Sequence, residues 1–124
     1  MRGTLVFDGE CGFCTRTLRW LRRIDRRGRV TPRPSQASGV LAPMGLTARD
    51  AANSVWWFGD DGRLAHGAEA VNQAVAAAIG TRAPLALYRL TRWPQERLYR
   101  WVAAHRHRFP GVTPYCTEHP HECR

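Results

Sequence analysis

The sequence predicts an α/β fold formed by a single domain. A chain of 124 residues, 44% of them apolar, can bury one core without disulfide bonds. Short apolar, β-prone runs alternate with stretches of helical periodicity. The turn formers Gly, Pro and Asp fall between these stretches, so the order of the elements can be worked out from the sequence.

The N-terminal part predicts a strand, a helix and a second strand. Residues 4–8, TLVFD, are a short apolar run closed by an Asp-Gly turn, which is typical of a buried strand. From Gly12 to about Arg26, apolar residues recur at spacings of three to five between arginines, and Gly28 follows, as at the end of an amphipathic helix. Residues 29–35 contain two prolines, which cannot donate to a sheet, so we expect an edge strand there.

The middle of the chain predicts a connection and a hairpin. Residues 35–53 are rich in Ser, Gly, Pro and Ala, with one short helix expected from the N-cap residue Thr47. The aromatic run at 54–58 meets Asp61-Gly62 and returns through residues 63–66, which is a strong β-hairpin signal.

Two helices and a tail are predicted after the hairpin. Residues 68–80 are Ala-rich and end at a glycine, and residues 94–109 follow a linker around Pro84. The second helix carries a stripe that we expect to pack inward, namely Leu98, Trp101, Val102 and His105. We place the domain at residues 1–109 and expect residues 110–124, broken by three prolines, to be frayed or loosely docked.

This order of elements is that of a thioredoxin-like fold with an additional C-terminal helix. A βαβ unit is followed by a hairpin and a packing helix. In that fold the second strand of the core lies at the edge of the sheet, where its two prolines are tolerated.

Cys11 and Cys14 form a C-x-x-C pair at the junction between the first strand and the first helix. A helix N-terminus stabilises an anion and lowers the pKa of a cysteine there, and a second thiol one turn on lies on the same face. We therefore expect Cys11 to be the nucleophile and Cys14 the resolving thiol of a redox-active disulfide. Gly12 is expected to keep the approach to Cys11 open, and Phe13 to offer an apolar contact to a substrate.

Asp8, three residues before Cys11, allows two interpretations. It could accept the proton of Cys14 as a general base, or it could bind backbone N–H groups in the turn. The sequence leaves both open.

The segment VFDGECGFC, with Asp8, Cys11 and Cys14, resembles the signature of the DCC family of thiol–disulfide oxidoreductases. DDGRLAHGAEAV and LYRWVAAHRHRF resemble later segments of that family, so the resemblance spans about residues 4–109. It implies a thioredoxin-like fold and redox activity. Thioredoxins also place a cis-proline opposite the C-x-x-C, whereas this chain has no proline between Pro43 and Pro84 and places Asn53 or Ser54 there. That difference argues against general binding of peptide disulfides.

A zinc site is one alternative. Cys11 and Cys14 would need two further ligands, and the tail offers four, which are Cys116, His119, His121 and Cys123. About a hundred residues separate the two sets, a poor match to structural zinc sites, and the tail alone has a short loop with a proline between its histidines. The tail cysteines could instead form a disulfide, relay electrons to Cys14 or be inert. We expect no metal and no organic cofactor.

The net charge of +9 suggests a second alternative, an interaction module that is redox-inert and docks an anionic partner. The cations are all arginines, and they cluster at residues 16–33 and 82–108. No nucleic-acid-binding motif accompanies them, so we expect solvated helix surfaces rather than nucleic-acid binding.

The expected partners are a protein or small-molecule disulfide and a cellular reductant. No apolar stretch predicts a membrane helix and no secretory signal is recognised, so we expect a cytoplasmic protein. The oligomeric state is not indicated by the sequence.

Overall fold

Four strands form one mixed sheet in the computed structural model, which describes residues 2–124. They are β1 (Gly3–Phe7), β2 (Val30–Pro34), β3 (Trp56–Gly59) and β4 (Leu64–His66), in the spatial order β2-β1-β3-β4. β1 pairs in parallel with β2 and antiparallel with β3, and β3 pairs antiparallel with β4. The proline-containing β2 is at the edge of the sheet, as predicted.

Six α-helices accompany the sheet: α1 (Gly12–Ile24), α2 (Ala48–Asn53), α3 (Gly67–Ile79), α4 (Ala83–Leu90), α5 (Arg92–Ala104) and α6 (Tyr115–Glu118). Short 3₁₀ turns lie at Ala42–Met44, Arg106–Arg108 and Pro120–Cys123. The Thr47 side chain caps α2 in a capping box with Asp50, as expected of that residue. Among the described residues, none of these helices has the length and apolarity that crossing a bilayer requires.

The core lies between the sheet and the helices α1 and α3, which contact each other. Leu5 and Phe7 of β1 pack there with Leu18 and Leu21 of α1 and with the alanine-rich face of α3. A parallel βαβ unit, an antiparallel hairpin and a helix packed on the sheet make the fold thioredoxin-like, as the sequence predicts.

The region after α3 differs from the prediction in two ways. The expected linker around Pro84 is helix α4, because proline is tolerated in the first turn of a helix. The expected inward stripe of α5 is wrong, since Leu98 is 63% and Trp101 54% exposed. The face of α5 that meets α3 is polar instead: Glu96 accepts a hydrogen bond from Ala68 N and Gln95 accepts one from Asn72.

The tail at 110–124 is not frayed, which corrects the expectation from its prolines. Tyr115 is buried, and its ring packs edge-on against Phe7 at 5.2 Å between centroids. Two arginines of the first basic cluster bind the tail, since Arg16 donates to Pro110 O and Arg19 pairs with Glu118 at 3.2 Å. Part of that cluster therefore holds the chain's own C-terminal segment.

Candidate functional site

Cys11 is the N-cap residue of α1. Its backbone is extended, and its Sγ accepts a hydrogen bond from Cys14 N at 3.3 Å. The first backbone N–H groups of a helix have no partner within the helix, so a side-chain acceptor at this position satisfies one of them. A thiolate accepts such a bond more strongly than a thiol. The strand-to-helix junction thus places Cys11 where the sequence predicted it.

Cys14 is partly buried one turn into α1 and retains its proton. The pKa of the Cys14 thiol is raised to about 12, chiefly by burial and then by a hydrogen bond with Cys11 and the charge of that neighbour. The Arg106 guanidinium acts in the opposite direction, with Nη1 3.9 Å from Cys14 Sγ. At neutral pH, therefore, Cys14 is protonated.

Asp8 connects Arg106 to the turn before the helix. Its Oδ2 pairs with Arg106 Nη2 at 3.1 Å, and the two side chains are only 19% and 23% exposed. Its Oδ1 accepts hydrogen bonds from Glu10 N at 3.0 Å and from Gln36 Nε2 at 2.9 Å. Asp8 thus has the turn role, and in addition it holds the guanidinium that contacts Cys14.

Gln36 fixes this turn from the loop after β2. Its Oε1 accepts a hydrogen bond from Gly9 N at 3.0 Å, while its Nε2 binds Asp8. Cys116 Sγ of the tail lies 3.7 Å from the same Oε1. A Cβ on Gly9 would stand 2.5 Å from that sulfur, so the close approach of the tail requires glycine at this position.

The tail covers the side of the site that we expected to be open. Val112 N donates to Gly12 O at 3.2 Å, and Cys116 N donates to Gly9 O at 2.8 Å. A Cβ on Gly12 would stand 2.5 Å from Val112 O, so the space beside Gly12 is occupied by the tail backbone. Cys11 is consequently only 5% exposed.

Thr15 joins the tail to the cysteine backbone. Its hydroxyl donates to Cys11 O at 2.9 Å and accepts from Tyr115 N at 3.1 Å, and the side chain is buried. If the tail moves away from α1, the hydrogen bond from Tyr115 N to Thr15 breaks, and Thr15 is the residue whose hydroxyl binds the Cys11 carbonyl.

The tail cysteines form a disulfide between Cys116 and Cys123, one of the alternatives that the sequence allowed. Cys11 and Cys14 are free thiols. Within residues 2–124, no three His, Cys, Asp or Glu side chains are grouped as metal ligands.

A cavity of about 490 Å³ opens on the other side of Cys14, between α1, α3 and α5. Cys14, Asp8 and Arg106 lie in its wall together with Phe13, whose ring packs against Phe109 at 5.2 Å. Cys11 is not in this wall. The free space next to the pair is thus reached past Cys14 and Phe13, not past Gly12.

Sequence reasoning missed Arg106 and Gln36 as parts of the site. Arg106 is one of many arginines, and nothing in its spacing distinguishes it from the solvated ones. Gln36 lies in a loop without a recognisable motif, so no signal in the sequence indicated it.

No curated protein and no solved structure shows significant similarity to the chain. The model of one family does match, that of the DCC1-like thiol-disulfide oxidoreductases, over residues 5–112. The match includes the C-x-x-C pair, Asp8 and Arg106, and it ends before the two tail cysteines. The chain therefore belongs to the DCC1-like thiol-disulfide oxidoreductase family.

Proposed function

We propose that the protein reduces or oxidises disulfides through the Cys11–Cys14 pair, with Cys11 as the attacking thiolate. In the reductive direction, Cys11 attacks one sulfur of a disulfide RS–SR, a mixed disulfide forms and the first RS⁻ leaves. Cys14 then loses its proton and attacks the Cys11 sulfur, which releases the second RS⁻. The pair ends as a disulfide, and a dithiol reductant of the cell reopens it. No metal or organic cofactor takes part.

The geometry at the helix N-terminus is the observation that carries this proposal. Cys11 Sγ accepts the backbone hydrogen bond from Cys14 N, while burial keeps Cys14 protonated. A backbone N–H thus donates to the sulfur that attacks, while the neighbouring thiol keeps its proton until the second step, which is the division of roles that disulfide exchange needs.

Arg106 and Asp8 assist the second step in this proposal. When Cys14 loses its proton, the Arg106 guanidinium at 3.9 Å favours the thiolate that forms. Asp8 holds this guanidinium through the 3.1 Å ion pair, and its other oxygen is bound to Gln36 and Glu10 N. We therefore assign Asp8 as a positioning residue, with proton acceptance from Cys14 as the alternative role.

Which cysteine attacks first can be tested directly. The proposal assigns the first attack to Cys11, whereas exposure favours Cys14. Cys14 lines the cavity, whereas Cys11 lies under the tail. If Cys11 attacks first, either the tail between Gly111 and Cys116 or the Cys14 side chain at the cavity wall must move aside. If Cys14 attacks first from the cavity, the tail can stay in place. Either order leads to the same Cys11–Cys14 disulfide.

Trapping of the mixed disulfide tests the order. Cys14→Ser and Cys11→Ser proteins are each treated with a small aromatic disulfide, and the adduct is located by mass spectrometry of peptides. We expect a rapid, stable adduct on Cys11 in Cys14→Ser and a reaction at least about tenfold slower on Cys14 in Cys11→Ser. The reverse result assigns the attack to Cys14, and adducts that form no faster than on a free thiol would favour the redox-inert interaction module.

A cytoplasmic location stays part of the proposal, and the tail disulfide offers a check on it. Disulfides persist in oxidising compartments and are rare in the cytosol. In acid-quenched cells, alkylation that finds Cys116 and Cys123 reduced would favour the cytoplasm, and a stable bond between them would contradict it.

A further inference from the structure

The cavity beside Cys14 combines an apolar wall with cations at one end. Leu5 and Phe7 of β1 lie at its inner side, and Leu18, Val71 and Val75 line it from the helices. Its volume of about 490 Å³ is within the range of small-molecule sites. The family match extends over this region but names no substrate.

The charged side chains in the wall of the cavity favour an anion. Arg100, Arg106 and His107 come from the end of α5 and the turn after it, and Asp8 is the one carboxylate in the described wall. Asp8 is already paired with Arg106. Arg100 bonds to the backbone carbonyl Glu96 O, and no carboxylate lies within 4.0 Å of it among residues 2–124, so its charge is available to a ligand.

Val55, in the loop across from Cys14, has no free backbone group for pairing with an extended peptide. Val55 N donates to Tyr99 Oη at 2.9 Å, and Val55 O accepts from Gly67 N at 3.1 Å. A peptide that docks by backbone pairing needs a free N–H and C=O along an exposed segment. Residues 2–124 contain no cis peptide bond, so the loop at residues 53–55 lacks the cis-proline geometry that thioredoxins have opposite their C-x-x-C.

We propose that this cavity binds the apolar body of a small disulfide that carries a carboxylate, with the carboxylate at Arg100 and one sulfur at the Cys14 end of the cavity. From there Cys14 attacks directly, or Cys11 attacks once the Cys14 side chain moves aside. This substrate class rests on the proposed function. The reaction is RS–SR plus the Cys11 and Cys14 thiols giving two RSH and the Cys11–Cys14 disulfide, so two electrons pass from the pair to the substrate. A bound apolar group displaces water from the wall, which is the main source of affinity.

Stopped-flow oxidation of the reduced protein tests the proposal with three disulfides: that of thionitrobenzoate (aromatic, anionic), that of thiopyridine (aromatic, neutral) and oxidised glutathione (polar). Each rate is divided by the rate with N-acetylcysteine, which removes differences in intrinsic reactivity. We expect saturation with the thionitrobenzoate disulfide and a normalised rate constant at low concentration at least about tenfold above that of oxidised glutathione. The neutral aromatic disulfide should fall between them.

Variants locate the effect in the cavity. Two separate variants fill the space: Ala103→Trp on α5, and Val71→Trp at a 40% exposed position on α3. Each should abolish saturation and lower the normalised rate constant at low concentration about tenfold or more. Circular dichroism and thermal unfolding identify the variant that keeps its fold. Arg100→Gln should lose the preference for the anionic over the neutral disulfide. Arg97→Gln removes the same charge from the same helix outside the cavity, where Arg97 lies over the Trp93 ring, and should keep the preference.

Failure of this proposal is distinguishable from failure of the proposed function. Linear kinetics with both aromatic disulfides, or equal rates in the cavity-filling variants, would overturn the substrate class while the pair still cycles with oxidised glutathione. Faster oxidation by a peptide disulfide than by the aromatic ones would assign the site to peptides. A protein whose pair cycles with none of them would overturn the proposed function itself.

Discussion

The two cysteine pairs of this chain have the same chemistry and different surroundings. Cys11 and Cys14 lie at a helix N-terminus beside a partly buried ion pair and an apolar cavity, and both are free. Cys116 and Cys123 lie in a proline-rich tail at the surface and are bonded to each other. The comparison teaches that the groups around a thiol pair, rather than the thiols themselves, distinguish the pair that we propose exchanges electrons with a substrate.

The pairs are nevertheless connected through one turn. Gln36 binds Asp8 and Gly9 and contacts Cys116, so the tail disulfide rests on the loop that positions the site. A change of the tail therefore reaches Cys11 through backbone contacts, and the same contacts carry a change of the site to the tail. Altering one pair at a time separates the two contributions.

The largest difference should appear in turnover. Cys14→Ser removes the resolving thiol, so we predict a loss of at least about 100-fold in multiple-turnover disulfide reduction, since release of the product then depends on an external thiol. The double variant Cys116→Ser/Cys123→Ser keeps the complete C-x-x-C and should stay within about threefold of the unaltered protein or exceed it. Both are measured with dithiothreitol as reductant. Equal losses would mean that the tail pair relays electrons.

For stability the expected order is the opposite: loss of the tail disulfide in Cys116→Ser/Cys123→Ser should cost more than loss of a Cys11–Cys14 disulfide. The tail disulfide closes a loop across a sequence separation of 7 residues. A loop of this size is expected to contribute about 2 kcal/mol to the free energy of unfolding, measured in urea. Oxidation of Cys11 and Cys14 closes a shorter loop and should contribute less. A double variant as stable as the oxidised protein would show that the tail docks without its bond.

Opening the tail should raise the reactivity of Cys11. A Cβ on Gly111 would stand 2.5 Å from the Gly12 backbone, so Gly111→Ala cannot keep the present contact. We predict alkylation of Cys11 by iodoacetamide about tenfold faster in this variant, because local opening limits access to buried thiols. Thr113→Ala, an exposed tail substitution, is the control. An unchanged rate in Gly111→Ala would mean that reagents reach Cys11 without displacement of the tail.

The smallest effects concern pH. The pKa of Cys14 is raised from 9.0 to about 12 in the folded protein, so the unfolded chain releases this proton first. The reduced protein should therefore lose stability as the pH rises from about 9 towards about 12, and be unaffected by this group below pH 9. Urea unfolding of the reduced protein on both sides of pH 9 measures the loss. Cys14→Ser is the control, because it retains Tyr88 and Tyr115, whose pKa values burial also raises.

Arg106 and Asp8 act on this pKa in opposite directions by charge alone, since the guanidinium lowers the pKa of Cys14 and the carboxylate raises it. Arg106→Gln should therefore move the Cys14 titration to higher pH. Asp8→Asn should do the same if Asp8 positions Arg106, because loss of the ion pair releases the guanidinium. Thiolate absorbance against pH follows both variants. A shift to lower pH in Asp8→Asn would contradict the positioning role.

The sequence predicted the parts of the molecule in which local signals agree with the tertiary structure. The C-x-x-C follows an apolar strand and begins an amphipathic helix, the prolines of β2 mark an edge strand, and Thr47 begins α2. Each of these depends on neighbours in the chain, so spacing and composition were sufficient to find them.

The sequence could not predict what depends on distant contacts. Arg106 reaches Asp8 across the fold, and Tyr115 buries a tail whose prolines indicated a free end. The helical stripe at Leu98 and Trp101 faces solvent because the opposite, polar face of α5 bonds to α3. In each case the partner is a residue distant in the sequence, and the sequence pattern around the first residue does not reveal whether that partner is present.

The most direct test of the central claim is a redox titration of Cys11 and Cys14 in the Cys116→Ser/Cys123→Ser protein, in which only one pair can titrate. The protein is equilibrated in glutathione and dithiothreitol buffers, quenched with acid, alkylated and weighed by mass spectrometry, with its metal content assayed. We predict one reversible two-electron transition between about −270 and −120 mV in metal-free protein. A pair that stays reduced across this range and holds one equivalent of zinc would contradict a redox role and identify Cys11 and Cys14 as metal ligands.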